Sequence, residues 1–319
     1  MTKKEREIAI EVNNLQKKYG AFEAVKKLSL KVYKDEIFGF LGPNGAGKTT
    51  SINMICGLLK PTSGEVIISG QIINSANSHH VKSKIGVCPQ QIIIWPKLTC
   101  FEQLEFMGEM YNMSRNEAKK SADKLIKKMG LTEKRDKLAK TLSGGMQRRL
   151  NIALALVHNP EIIVLDEPEA GLDPQSRVMV REFIKEIATD KTVILTTHNM
   201  DEAERLANRV AIIDNGELLL IDTPEKLKKS IGEGDILELK LLQSSKKNNE
   251  KVIELLKEFK LSAKSSDEHI LIKHKNLISF IPDISLKLKE YEIKIAEMKM
   301  RENTLEDVFI HLTGRSLRA

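Results

Sequence analysis

The stretch GPNGAGKTT, residues 42–50, decides the fold of this chain. It fits the pattern G-x-x-x-x-G-K-[ST] of a phosphate-binding loop, which is informative when a strand precedes it and a helix follows. An apolar run at residues 37–41 comes before it, and apolar residues recur at helical spacing over residues 51–59. The sequence therefore predicts strand, phosphate loop and helix, the opening unit of an α/β fold.

The residue types in this stretch explain how it would hold phosphate. Gly42, Gly45 and Gly47 permit backbone angles that let successive N–H groups point at phosphate oxygens. Lys48 would reach the β- and γ-phosphates, and Thr49 would offer a hydroxyl to Mg²⁺. The helix that follows adds its positive dipole end. An ordinary glycine-rich turn with a solvated lysine is the alternative.

Two acidic residues follow a second apolar strand. Residues 162–165 form an unbroken apolar run, and Asp166 stands at its carboxyl end, where ligands bind in open α/β sheets. Asp166 is predicted to hold Mg²⁺ through water, as in P-loop NTPases, and Glu167 to orient or deprotonate the attacking water. The alternative is that both carboxylates are simply solvated. Their position downstream of the phosphate loop argues against that alternative.

The stretch LSGGM, residues 142–146, predicts a second anion site. Ser143 is a good N-cap, and apolar residues repeat at helical spacing behind it. The amides of Gly144 and Gly145 would then form a helix N-terminus able to bind an anion.

The order of the phosphate loop, LSGG, LDEP, GLDP and a strand-terminal histidine resembles the nucleotide-binding subunit of ATP-binding cassette (ABC) transporters, over residues 8–227. The resemblance implies a P-loop NTPase cassette with a RecA-like core, an antiparallel β subdomain and a helical signature subdomain at about residues 99–145. In that family two cassettes enclose two ATP molecules, so Ser143, Gly144 and Gly145 would act on the nucleotide held by the other subunit.

The resemblance also implies individual roles. Tyr19 would stack on adenine; the alternative is a tyrosine of an edge strand with no role in binding. Val25 would contact base or sugar. Gln90 would touch Mg²⁺ or water, Asp173 would reach across the dimer, and His198 would contact the γ-phosphate. The resemblance and the motif together name as catalytic residues Lys48, Glu167 and His198, as metal ligands Thr49, Gln90 and Asp166, and as loop contacts Gly42, Pro43, Asn44, Gly45, Ala46, Gly47, Lys48, Thr49 and Thr50.

Two residues depart from the family pattern. Met146 occupies a position where many cassettes have glutamine, and Glu169 one usually filled by threonine or serine. Because neither changes a backbone amide that would bind phosphate, we expect an active ATPase that requires ATP and Mg²⁺.

Bulk properties indicate a two-domain protein outside the bilayer. The chain has 319 residues, 30% of them charged, and it lacks both a long apolar stretch and the apolar segment of a secretory signal. The formal net charge is +7, but Lys and Glu alternate and no basic run is interleaved with aromatics, so no nucleic acid is expected. The resemblance implies a cytoplasmic protein, peripheral on the cytoplasmic face of the membrane.

The predicted domains are the cassette at residues 1–230 and a small α+β accessory domain at residues 235–319, for which a ferredoxin-like fold is one candidate. The sequence pattern also predicts a strand at residues 8–12, a helix with an apolar stripe over residues 118–129, and a hairpin with a type I′ turn at Asn215-Gly216. A linker is predicted at residues 232–234. The ending at residues 303–315 resembles the tail of exporter-type cassette subunits. Near residues 95–101, the resemblance implies a groove for the membrane partner, which exposure of residues 92–95 would support.

The leading hypothesis is therefore an ATPase subunit, dimeric with ATP, that drives a separate transmembrane permease for export. The alternative is a soluble cassette acting on nucleic acid or the ribosome. Repair-type cassettes carry a long coiled coil and ribosomal ones usually carry two cassettes per chain, and neither feature is seen in this sequence. A scaffold that binds ATP without turnover would be expected to lack Glu167 or His198.

Overall fold

The computed structural model describes residues 6–73, 78–231, 234–243, 245–266 and 269–314. The chain divides into two compact units, with the division after Pro224. The boundary expected near residue 230 stays a prediction. Of the expected linker, Gly232 and Glu233 lie outside the described residues, whereas Gly234 has a φ of 125°.

The first unit contains a mixed series of strands and helices. Its strands are β1 (Ile8–Tyr19), β2 (Phe22–Tyr33), β3 (Ile37–Leu41), β4 (Ser63–Ile68), β5 (Gln71–Ile72), β6 (Ile85–Cys88), β7 (Ile162–Asp166), β8 (Thr192–Thr197), β9 (Arg209–Asp214) and β10 (Glu217–Asp222). Its helices are α1 (Lys48–Ile55), α2 (Ser78–Lys82), α3 (Cys100–Met110), α4 (Arg115–Lys128), α5 (Gly144–Leu156), α6 (Pro174–Ile187) and α7 (Met200–Leu206).

The main sheet has the strand order β10-β9-β3-β8-β7-β6. Its strands are parallel except β10, which pairs antiparallel with β9. Every residue of β3, β7 and β8 is buried, as expected for strands of a parallel sheet covered on both faces. Because these three strands are neighbours, the residues at their carboxyl ends meet at one edge of the sheet.

A second, antiparallel sheet has the order β2-β1-β4-β5. The sequence predicted β1 only as far as Val12, but the strand continues to Tyr19 through several register shifts. These irregularities interrupt the simple alternation from which a strand is read. The longer strand carries Tyr19 to the hairpin turn, where it pairs with Phe22.

The helical segment is organised by two capped helices. Thr99 and Glu102 form a capping box on α3, and Ser114 and Glu117 form another on α4. The apolar stripe predicted on α4 is buried, at Ala118, Ala122, Leu125 and Ile126. The stripe is therefore core, as expected for an amphipathic helix.

The second unit is a small α+β fold. After α8 (Pro224–Ser230), which begins at the last residue of the first unit, its elements are β11 (Asp235–Leu241), α9 (Lys246–Lys257), β12 (Ser262–Ser266), β13 (His269–His274), α10 (Leu277–Glu290), β14 (Ile295–Arg301) and α11 (Leu305–Thr313).

The sheet of this unit is antiparallel in the order β12-β13-β11-β14. From β11 to β14 the chain runs β-α-β-β-α-β, the ferredoxin-like arrangement that the sequence suggested. Strand β12, with the sequence SAKSS, was not predicted, because it has no alternation of apolar and polar residues. In the described parts of the chain, no helix combines the length and apolar character needed to cross a bilayer.

Candidate active site

The phosphate loop lies between β3 and α1 and is packed too closely for side chains at two glycines. A Cβ on Gly42 would lie 2.2 Å from the carbonyl oxygen of Ile213, and one on Gly47 would lie 2.6 Å from that of Ala24. Gly47 also has a φ of 97°, a conformation that favours glycine. Packing therefore requires glycine at residues 42 and 47, and the backbone angle of Gly47 favours it as well.

The turn of the hairpin between β9 and β10 contacts the phosphate loop. Asn215 and Gly216 both have positive φ, at 48° and 77°, which confirms the predicted type I′ turn. The N–H of Gly216 donates to the carbonyl of Ala46 at 3.0 Å. The side chain of Val25 is buried beside this junction, 3.6 Å from the position of a Cβ on Gly47. Val25 thus packs against the loop and does not line its cavity.

The loop opens onto a cavity of about 310 Å³ at the carboxyl edge of the sheet. Most of the residues predicted to contact nucleotide or metal meet there. The cavity is lined by Tyr19, Phe22, Ala24, Asn44, Gly45, Gly47, Lys48, Thr49, Thr50, Gln90, Asp166 and Glu167. Residues from four separate stretches of the sequence are therefore brought to one place.

Lys48 crosses the loop from the start of α1. Its Nζ donates to the carbonyl oxygens of Gly42, at 2.6 Å, and Pro43, at 3.0 Å. Burial lowers the pKa of Lys48, and the negative charges of Glu167 and Asp166 oppose that shift. The ammonium group and the two carboxylates therefore face the same small volume.

Asp166 ends β7, Glu167 follows it, and the two side chains have different surroundings. Asp166 bonds the hydroxyl of Thr196 on the neighbouring strand β8. Glu167 adopts a φ of 50°, an uncommon conformation for a residue with a side chain. The N–H of Glu167 donates to the carbonyl of Thr196 at 3.1 Å.

His198 lies directly beside Glu167 at the end of β8. Glu167 Oε1 accepts from the N–H of His198 at 3.0 Å and lies 2.7 Å from its Nδ1. The imidazole is 54% exposed, so its far side is accessible while its near side orients the carboxylate. The predicted base, Glu167, is therefore in direct contact with His198, the residue predicted to contact the γ-phosphate.

The sequence analysis missed a buried arginine that connects the elements of this site. The guanidinium of Arg148, on α5, donates to the carbonyl oxygens of Pro89 and Gln90 on one side. On the other side it donates to those of Pro168, Asp166 and Glu167. Arg148 is only 2% exposed, although an arginine on a helix is ordinarily solvated. It ties the segment that carries Gln90 to the segment that carries the acidic pair.

Phe22 was also missed. It lines the cavity opposite the loop, is 66% exposed, and pairs with Tyr19 across the hairpin turn. Its position three residues after Tyr19 in the same hairpin was the available signal. An exposed aromatic beside a polar cavity can stack on a planar ring.

The LSGGM segment begins α5 and lies outside this cavity. The Ser143 hydroxyl accepts from the N–H of Met146, which confirms the predicted N-cap. Ser143 and Gly144 are exposed, and a Cβ on Gly144 would meet no atom of its own chain within 4 Å. A Cβ on Gly145 would lie 2.6 Å from the hydroxyl of Ser176. Both carboxylate oxygens of Asp173 bond Ser176, so Asp173 caps α6.

The donor set of the cavity fits a nucleotide and a hard cation. Thr49, Gln90 and Asp166 offer hydroxyl, amide and carboxylate oxygens, which suit Mg²⁺ when substrate phosphates and water complete its coordination. Within the described ranges, no group of three or more His, Cys, Asp or Glu forms an all-protein metal site. That pattern agrees with a cation bound together with phosphates.

Comparison with known proteins decides the family. A profile described as ABC transporter matches residues 25–170. The linearmycin resistance ATP-binding protein LnrL of Bacillus subtilis (strain 168) is 37% identical over 310 residues, which are 97% of this chain and 99% of that protein. The chain belongs to the ABC transporter family. It is an ATP-binding and ATP-hydrolysing cassette, as the order of its motifs predicted.

Longer relatives and solved structures agree with this assignment. ABC transporter A family member 7 of Arabidopsis thaliana is 37% identical over 317 residues, 95% of this chain but 33% of that protein. A dimeric structure of an ATP-binding cassette in a post-hydrolysis state, bound to ADP and Pi, is 30% identical. It covers 67% of this chain and 98% of its own, with a TM-score of 0.62. Cassettes of this family therefore dimerise.

Proposed function

We propose that this chain is the Mg²⁺-dependent ATPase subunit of an exporter, acting as a dimer of cassettes on a separate transmembrane permease. One observation carries the dimeric part of the proposal. The cavity of a single chain gathers the phosphate loop, Gln90, Asp166 and Glu167, whereas Ser143 and Gly144 lie exposed and outside it. The second anion site is therefore free to close over a nucleotide held by another cassette.

In the proposed reaction the chain's own residues position the triphosphate and a water molecule. The loop N–H groups and Lys48 would hold the phosphates, and Mg²⁺, when bound, would neutralise charge on them. Thr49, Gln90 and Asp166 would hold that cation. Glu167 accepts a proton from the attacking water, and His198 keeps its carboxylate oriented through Oε1.

The adenine ring would lie at the hairpin between β1 and β2. Tyr19 is 51% exposed and Phe22 is 66% exposed, and both line the cavity. We propose that Tyr19 stacks on the base, as the resemblance implies, and that Phe22 adds a second aromatic surface. Val25 contributes by packing beneath the loop.

An apolar surface on the helical segment supports a protein partner. Ile92 and Ile93 are 40% and 58% exposed, and Phe106 is 46% exposed and packs edge-on against Trp95. These residues follow Gln90 in the chain or lie on α3, so a permease docked there would be close to a residue of the nucleotide site. The proposed location on the cytoplasmic face of the membrane follows from that partner.

Export is supported by the ending at residues 303–315, which resembles exporter-type subunits, and by the similarity to LnrL, a linearmycin resistance ATP-binding protein. Resistance to a toxic compound is consistent with its removal from the cell. We propose export for this chain on that similarity, with the cargo recognised by the permease. No nucleic acid is proposed as a partner.

The test combines ATPase measurements with oligomeric state. Glu167→Gln keeps the shape of the side chain but removes the base, so with ATP and Mg²⁺ it should accumulate as a dimer with little turnover. Lys48→Ala should remain monomeric under the same conditions. Wild-type turnover in Glu167→Gln, or the absence of an ATP-dependent dimer, would contradict the proposal.

A further inference from the structure

A buried carboxylic acid contacts the turn that carries His198 and has no role in the proposed reaction. Glu202, on α7, is 3% exposed. Its Oε2 lies 2.6 Å from the hydroxyl of Thr197, whereas its Oε1 is buried without a hydrogen-bond partner. A buried carboxylate with an unsatisfied oxygen is costly, so the site favours the neutral acid.

The turn that carries His198 is held at two points by Glu202, once through its carboxyl group and once through its backbone N–H. The hydroxyl of Thr197, which contacts Glu202, also accepts from the N–H of Asn199 at 2.9 Å. The side chain of Asn199 in turn accepts from the N–H of Glu202 at 3.3 Å. His198 stands between these two residues, and its position relative to Glu167 therefore depends on the contact between Thr197 and Glu202.

The charges around Glu202 come from two segments of the chain. Glu167 and Glu169, after β7, both raise its pKa, and Arg181, on α6, lowers it. Burial is the largest cause, and the hydrogen bond from Thr197 opposes it by favouring the ionised form. The net effect raises the pKa of Glu202 to about 8. Arg181 is held by both oxygens of Glu169, at 2.5 and 2.8 Å.

We propose that Glu202 is a positioning residue for ATP hydrolysis, which as a neutral acid holds the Thr197–Asn199 turn so that His198 orients Glu167. When Glu202 ionises, the cost of a buried negative charge beside Glu167 and Glu169 exceeds the gain from the hydrogen bond of Thr197, and the turn is weakened. Glu169, the residue that departs from the family pattern, sets the pH at which this happens, because it adds a negative charge and engages Arg181.

The test is the dependence of kcat on pH for the full chain with ATP and Mg²⁺. One pH unit above a pKa of about 8 leaves about a tenth of Glu202 protonated, so wild-type kcat should fall about tenfold between pH 7 and pH 9. Glu202→Gln is neutral at every pH and should lose less than about twofold over the same range. Asp201→Asn, an exposed residue of the same helix, should keep the wild-type fall.

Two further variants give opposite shifts. Glu169→Gln removes a negative neighbour and frees Arg181, so the alkaline fall should move to lower pH. Arg181→Gln should move it to higher pH. An infrared band of a protonated carboxyl group at pH 7, present in the wild type and lost in Glu202→Gln, would identify the titrating group directly.

The inference rests on the ATPase activity, and its failure is distinguishable from failure of that activity. If wild-type protein shows no turnover at pH 7, the activity itself is contradicted. If Glu202→Gln is active at pH 7 but keeps the wild-type alkaline fall, the activity stands and the inference is overturned. In that case Lys48, whose pKa is lowered by burial, is the group to examine.

Discussion

The two units of this chain bury different kinds of side chain. In the described part of the first unit, the buried residues include Lys48, Arg148, Asp166, Glu167 and Glu202. In the described part of the second unit, the buried polar residues are Asn249 and Asn303, and the other buried side chains are apolar, mostly aliphatic, with Phe309 also buried. Burying charge is costly and is retained where chemistry requires it. The contrast assigns catalysis to the first unit and packing to the second.

Lys48→Ala should have the largest effect on activity. Its ammonium is the cation placed in the cavity against Asp166 and Glu167, and loss of one such electrostatic contact costs about 10²–10³ in kcat. Steady-state ATPase measurements check this, with circular dichroism as the control for folding. Activity within a factor of ten of the wild type would break the assignment of catalysis to this unit.

Arg148→Ala should be the most destabilising substitution. It would leave carbonyl oxygens of Pro89, Pro168 and the acidic pair without their donor. We expect a loss of about 3–5 kcal/mol in the free energy of unfolding of the first unit, with loss of ATPase activity. Urea unfolding measures this. A loss below about 1 kcal/mol would show that water readily replaces the guanidinium.

Leu239→Ala is the matched substitution in the second unit. Leu239 is fully buried in the core of that unit, so the cavity left behind should cost about 2–4 kcal/mol in its stability. Because no buried catalytic group lies there, kcat should stay within about twofold of the wild type. A large loss of kcat at a temperature where the variant is folded would show that the second unit takes part in turnover.

Arg301→Ala should have the smallest effect. Burial tends to raise the pKa of Asp307, but bonds from Arg301 and Thr304 outweigh it and hold the pKa below its usual value. A depressed pKa adds stability above the unfolded-state pKa of about 4, and that stability is lost as pH falls through the folded-state value. We expect the variant to lose about 1 kcal/mol or less at pH 7, with a flatter dependence of stability on pH below 4. If urea unfolding shows the same dependence of stability on pH below 4 in the variant as in the wild type, this prediction is contradicted.

The sequence predicted those parts of the site that depend on local pattern. The phosphate loop, the strand that ends at Asp166 and the type I′ turn at Asn215 each have a local requirement for particular residues. The extended β1 was predicted too short, because bulges shift the alternation between Val12 and Tyr19.

What the sequence did not predict depends on contacts between distant segments. Arg148 belongs to a helix on which an arginine would ordinarily face solvent, and its burial follows from carbonyls presented by two other segments. The same holds for Glu202, which on its own helix resembles the exposed Asp201. Strand β12 is fixed by its pairing with β13, which its polar sequence does not reveal.

The most direct test of the account mixes two inactive variants. Lys48→Ala removes the phosphate-loop cation, and Gly144→Asp places a carboxylate where a Cβ meets no atom of its own chain, so it should fold normally. If each cassette completes the site of its partner, a mixed dimer contains one intact site, and mixing should restore part of the ATPase activity lacking in either variant alone. No recovery on mixing, with mixed dimers shown to form, would contradict the account, as would full activity in Gly144→Asp alone.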